Sequence, residues 1–296
     1  MHKPSVNIPE TQGAIGPKEA AEALNEQGFL FAQVIRDRIA NRIAGTIEQS
    51  HWYLEGQEYP VTALDGSQTR IDLILCHRRV NNVYLCLECK RPNRKYKSWL
   101  FFDRLPKQSP LYLETISQHI PKGLTNPNPA QHKIAHKQAS HSCDVFNYYL
   151  ESAIKRNSDA ASSTETIERA MRQLVAGQSG LLSKFRTFSL PIHNYRSVPV
   201  MVTSAQLYEA EFEVEAIDKT NGTIKESDLN LKAMDFCAVN YHADDSLTLN
   251  SPWGIQQKSD IKTDISHFQT RTVFITQASA LDHFLSWASG NLTDMS

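Results

Sequence analysis

Two short stretches bring together residue types that can do hydrolytic chemistry: Arg70-Ile-Asp-Leu-Ile-Leu-Cys-His77 and Tyr84-Leu-Cys-Leu-Glu-Cys-Lys-Arg91. Asp72 and Glu88 supply carboxylate oxygens. Hard divalent cations take such donors, and Mg2+ commonly uses one or two carboxylates while water and substrate phosphate complete its shell. The Cys89 carbonyl, between Glu88 and Lys90, is a further candidate ligand. Lys90 adds an ammonium that can orient a water and offset charge developing in a transition state. A cation that acidifies water beside such an ammonium suits the splitting of a phosphodiester.

These residues work together only if the chain folds them onto one face. Both stretches read as strands, with side chains alternating between faces. Leu85, Leu87 and Cys89 share one face of the second strand, and Tyr84, Cys86, Glu88 and Lys90 the other. In the first strand Ile71, Leu73 and Leu75 form an apolar face opposite Asp72, Ile74 and Cys76. A hairpin that buries one side must align the two apolar faces. That demands an odd connection, Val80 to Asn82. The expected register pairs residues whose numbers sum to 162, with Asp72 opposite Lys90 and Ile74 opposite Glu88. Asn81-Asn82 tolerates the left-handed backbone of a tight turn. A solvated sheet face with cross-strand ion pairs would use the same residue types. The neighbours Ile74, Cys76, Cys86 and Tyr84 suit open water poorly and argue for a cleft instead.

Ile71-Asp72, a turn, and Glu88-Cys89-Lys90 together resemble the PD-(D/E)XK, or restriction-endonuclease-like, nuclease superfamily, with Ile71 where the motif name has Pro. The resemblance covers roughly residues 20–95. It implies a metal-bound Asp72 and Glu88, a Lys90 that serves catalysis, and Mg2+ or Mn2+ as cofactor. It also implies a carboxylate from the preceding helix, for which Glu26 is preferred over Glu48, and a glutamine from a later helix, taken as Gln173. The implied fold is α/β: a restriction-endonuclease-like core with a central mixed β-sheet flanked by helices. The implied activity is endonucleolytic hydrolysis of nucleic acid, DNA before RNA, in restriction, phage defence or repair. The alternatives are a nucleic-acid-binding protein that keeps the fold without cutting, and an interaction protein whose hairpin is only an ion-paired sheet.

The flanking sequence completes the expected frame. Residues 1–16 read as a flexible arm and residues 17–296 as a single domain. Pro17 suits a first helical turn. Phe29, Phe31, Val34, Ile35, Ile39, Ile43 and Ile47 recur at helical spacing, predicting a helix that ends near residues 48–50. Asp65-Gly66 predicts a hairpin turn. A helical insertion is expected at about 92–165, from residues 131–156, followed by a helix over 164–176 that Gly177 and Gly180 bracket. Strands are expected at Pro199–Thr203, Leu207–Ile217 and Thr272–Thr276, then a helix at Leu281–Ala288. Glu209, Glu211, Glu213 and Glu215 read as the solvated face of an edge strand.

Arg91, Arg94, Lys95 and Lys97, interleaved with Tyr96, Trp99, Phe101 and Phe102, suit phosphate contacts with base stacking. They must act locally, because the formal net charge of −1 attracts no polyanion to the protein as a whole. His132 and His136, at helical i,i+4 spacing, with His141 and Cys143 form a weak zinc pattern with no matching Cys pair. Cys86 and Cys89 read as packed thiols on opposite strand faces. The five cysteines are an odd number, which fits reduced thiols. No membrane-length apolar run and no apolar leader after Met1-His2-Lys3-Pro4 predict a cytoplasmic protein. No glycine-rich phosphate loop suggests a nucleotide-driven motor. Cutting both strands of a duplex with one site per chain would favour a homodimer.

Overall fold

The computed structural model describes residues 15–26, 29–44, 51–80, 82–92, 96–107, 109–117, 131–137, 143–153, 161–187, 195–243 and 269–293. Helices α1 (Pro17–Glu26) and α2 (Phe29–Ala44) come first. Ile35 and Ile39, one turn apart on α2, bury 1% and 3% exposed against the sheet. They are followed by an antiparallel meander of β1 (Trp52–Thr62), β2 (Gln68–His77) and β3 (Val83–Lys90). The first turn forms at Asp65-Gly66 as expected. Gly66 has φ +83°, and Asp65 Oδ1 accepts hydrogen bonds from the Ser67 N–H at 2.9 Å and hydroxyl at 2.6 Å. At the second turn Asn82 takes φ +70°, a conformation asparagine tolerates. The His77 imidazole organises that turn, Nδ1 accepting from the Val80 N–H at 2.9 Å.

The chain continues through β4 (Ser98–Arg104), β5 (Leu111–Ser117), β6 (Gln131–Lys137), β7 (Val145–Ala153) and β8 (Ala161–Ser163). Then come α3 (Glu165–Thr187), β9 (Tyr195–Thr203), β10 (Gln206–Glu211), β11 (Asn230–Met234), β12 (Phe236–His242), β13 (Thr270–Gln277) and α4 (Leu281–Asn291). One mixed sheet runs β1-β2-β3-β9-β13-β12-β7-β4-β10-β11, with β5 beside β9, β6 beside β5 and β8 beside β7. β9 is central and buried at all nine positions, parallel to β3 from Val83↔Arg196 to Lys90↔Thr203. A parallel pair needs a crossover, which α3 supplies. Helices then cover both faces. On one side α2 and α4 meet Leu73, Leu75, Leu85, Leu87, Val198 and Val200. On the other, α3 meets Met201, Val273, Ile275 and Trp99 through Ile167, Met171, Leu174 and Val175. Among the described residues no helix is long and apolar enough to cross a membrane.

Several expectations are corrected. The described residues of the expected helical insertion are not helical. Its described segments are strands, including β6 and β7 where a helix over 131–156 was expected. β7 lies between β4 and β12, so cross-strand partners distant in sequence settle its conformation. Gly177 and Gly180 do not end α3; they sit inside it where helix and hairpin touch. A Cβ at Gly180 would stand 2.7 Å from the Thr62 carbonyl oxygen, and one at Gly177 would stand 3.0 Å from the Ile71 side chain. The hairpin buries both faces rather than one. Ile71 joins Val61, Ile74, Cys86 and Leu181 under α3 instead of the face of Leu73 and Leu75. The strand expected over Leu207–Ile217 stops at Glu211, with a 3-10 turn at Val214–Ala216. β10 is not an edge, because β4 and β11 flank it. Glu209 is therefore buried, 2% exposed, and paired with Arg104 at 3.2 Å and Lys232 at 3.8 Å.

Candidate functional site

The β2–β3 ladder reads Leu73↔Leu87, Ile74↔Cys86, Leu75↔Leu85 and Cys76↔Tyr84, so paired numbers sum to 160. The odd connection expected from the alternation is present in parity. It is five residues, 78–82, rather than three, because the strands stop pairing earlier and the His77 ring organises the turn. Continuing the register by one pair sets Asp72 opposite Glu88, where Lys90 was expected. The trio still meets. Lys90 Nζ lies 2.5 Å from Glu88 Oε1, and Asp72 Oδ2 accepts the Cys89 N–H at 2.7 Å. Cys89 offers the site only its backbone, since its thiol packs on the α2 and α4 side while Cys86 packs under α3. The opposed faces expected for these two cysteines are present. All five cysteines are free and buried.

Burial gives the site its electrostatics. Glu88 is 2% exposed, which disfavours its charged form, and the Asp72 carboxylate beside it adds repulsion. The opposing Lys90 ammonium does not win, and the Glu88 pKa rises to about 8. Asp72 is half-buried and raised as well, first by desolvation, with the Cys89 N–H and Lys90 pulling it back. Both groups also feel Glu58 as a repulsive charge.

Gln173, expected from a later helix, is at the site. Its Oε1 accepts a hydrogen bond from Lys90 Nζ at 3.3 Å. It is positioned there because α3 is anchored at its start, where the buried Glu151 carboxylate accepts the Thr166 and Ile167 N–H groups at 2.7 and 3.1 Å. Glu26 ends α1, but its side chain, like Glu48, Arg94 and Lys95, lies outside the described residues. Arg91 is exposed and donates to the Asn25 carbonyl, joining the end of β3 to α1. Lys97 is exposed, and its carbonyl accepts the Gln206 N–H at 2.9 Å. Gln206 follows the turn after Thr203, the ladder partner of Lys90, so Lys97 sits at the same end of the sheet as the site. His132 and His136 belong to a strand, not to the helix that suggested a shared face. Their side chains and His141 lie outside the described residues, and Cys143 is a buried thiol.

Glu58 is the residue that sequence reasoning missed. It falls between Gln57↔Leu73 and Tyr59↔Ile71, abreast of Asp72 on the neighbouring strand. Its φ of +44° is uncommon for a non-glycine residue and marks a distorted point in β1. Arg70 lies 3.9 Å from it. The turn at Asp65-Gly66 was a sufficient signal, since an antiparallel pairing folded back about it carries residue 58 to residue 72.

Compared with family models, curated proteins and solved structures, the chain matches none. Among the described residues no group of three or more His, Cys, Asp or Glu side chains is arranged to hold a metal ion.

Proposed function

We propose that this protein is a metal-dependent nuclease that hydrolyses phosphodiester bonds in nucleic acid, DNA in preference to RNA. The observation that carries this reading is a carboxyl pair, a buried Glu88 and a half-buried Asp72, with the Lys90 ammonium 2.5 Å from Glu88. An ion-paired surface hairpin has no need to bury Glu88, and a carboxyl so buried beside a second carboxylate is charged favourably only when a cation joins the two. A helix before the hairpin and a later helix that brings Gln173 to Lys90 accord with the restriction-endonuclease-like frame the resemblance implies.

The donor set fits a hard divalent cation such as Mg2+ or Mn2+. It is all oxygen, with two adjacent carboxylates, and water and substrate phosphate would complete the shell. Asp72 and Glu88 would hold the ion, with the Cys89 carbonyl as a further candidate. The ion would supply Lewis acidity toward the phosphate and make water a better nucleophile near neutral pH. The protein's own groups do the rest. The Cys89 N–H fixes one oxygen of Asp72 and leaves the other to the site. Lys90 orients the attacking water and offsets charge on the phosphate in the transition state. Gln173 holds the Lys90 ammonium over the carboxylates. Lys97 and Arg91 suit backbone phosphates at the same end of the sheet. Cutting both strands of a duplex would call for two copies of the chain.

The test is cutting of plasmid, linear duplex and single-stranded DNA, and of RNA, with Mg2+ or Mn2+, by wild type, Asp72→Ala and Lys90→Ala. Metal-dependent cutting that falls at least about 100-fold in each variant is the expected result. Binding without cutting in the wild type would favour a non-cutting binder. Cutting that survives both substitutions would remove the site.

A further inference from the structure

A cavity of about 460 Å3 opens between the β1–β2 hairpin and the C-terminal half of α3. Its walls include Thr62, Gln68, Thr69, Arg70 and Lys184. Each of these side chains can donate a hydrogen bond, two carry positive charge, and no carboxylate lines it. We propose that this cavity holds a phosphodiester of the bound strand to one side of the scissile bond. The inference rests on the nuclease reading for where the cut falls.

Placement supports it. Arg70 precedes Asp72 by two residues on β2. The two stand about 7 Å apart along the strand, and Arg70 lies 3.9 Å from Glu58, which is abreast of Asp72. Arg70, against Glu58, and Lys90, against Glu88, thus both border the acidic group of Glu88, Asp72 and Glu58. At the far wall Lys184 covers the Tyr59 ring, 4.6 Å from its centre, and donates to the Pro60 carbonyl at 2.5 Å. Lys184 and Gln173 ride on one helix eleven residues apart, about 16 Å. At a rise of about 3.4 Å per nucleotide, the cavity takes a phosphate two to five nucleotides from the cut. The Arg70 guanidinium is 69% exposed, so it can meet that phosphate with little loss of solvation. Its planar fork matches phosphate oxygens two at a time. With a formal net charge of −1, the protein attracts a strand only through such local patches.

The experiment measures binding of labelled duplex and single-stranded 20-mers by anisotropy across a salt series, in the full chain carrying Asp72→Ala so that nothing is cut. Arg70→Gln, Lys184→Gln, their double and a distant control, Lys219→Gln, are compared, with unfolding midpoints recorded for each. Each cavity variant should lower the salt slope of log K by about 0.9 on duplex, or about 0.7 on single strand. The double should lower it by about twice that, and the control by nothing. Lys184→Gln keeps a stem over Tyr59 and carries the test if Arg70→Gln unfolds. Slopes equal to the parent in folded variants would overturn the proposal. So would variants that change inorganic phosphate binding but leave oligonucleotide binding untouched. Cutting by the wild type with flat slopes removes the cavity and leaves the nuclease. Altered slopes with no cutting do the reverse.

Discussion

Glu88 should make the metal-free protein weaken as pH rises, and the size of the effect follows from its surroundings. In the unfolded chain its carboxyl ionises near 4.5; folded, near 8. Between these values the unfolded state has released a proton that the folded state still holds. Stability therefore falls with rising pH. The contribution is fully present below about pH 4.5 and is lost as pH passes through about 8. At about 1.4 kcal/mol per pH unit this amounts to about 5 kcal/mol, a third or more of the stability of an ordinary domain. Glu88→Gln keeps the shape and still offers Lys90 an acceptor, but it has nothing to ionise. Urea unfolding in EDTA from pH 5 to 9 should show the wild type losing stability relative to Glu88→Gln, most of it by pH 8. Adding Mn2+ at pH 8 should restore the wild type and leave Glu88→Gln unmoved, because only the wild type gains a partner for its charge. Parallel profiles for the two proteins in EDTA would refute the claim that burial holds Glu88 protonated. Equal stabilisation of both by Mn2+ would refute its role as a ligand.

Two further predictions concern the helix that crosses the hairpin. Gly180→Ala should destabilise by about 1–2 kcal/mol more than Gly177→Ala in denaturant unfolding. Both gain the same helix propensity, but the new methyl at 180 meets the rigid Thr62 carbonyl at 2.7 Å, whereas at 177 it meets a movable Ile71 side chain at 3.0 Å. Equal costs would show that α3 is free to shift. Gln173→Ala removes an acceptor from Lys90 and should lower kcat about tenfold with KM for DNA unchanged. A raised KM with kcat intact would make Gln173 a strand contact instead.

The local pattern of the sequence determined the hairpin and its parity. Alternation is a property of each strand alone, so apolar Leu73, Leu75, Leu85 and Leu87 force an odd connection whatever surrounds them. The turns at Asp65-Gly66 and Asn82 were equally local, because they depend on which residues accept positive φ. The exact pairing was not local. His77 closes a longer turn and moves the ladder by two residues, and that ring sits where it does only in the folded protein. Tertiary structure alone decided that β6 and β7 are strands, that β10 is an interior strand with a buried Glu209, and that Gly180 is a contact point rather than a helix end. In each case the deciding partner lies far away in sequence: β4 for β7, β4 and β11 for β10, Thr62 for Gly180. The same holds for the candidate site. Asp72, Glu88 and Lys90 share a hairpin and could be found together, and the resemblance supplied Gln173. Glu58 came from a third strand, and the burial that raises Glu88 to about 8 comes from packing that no window of the sequence contains.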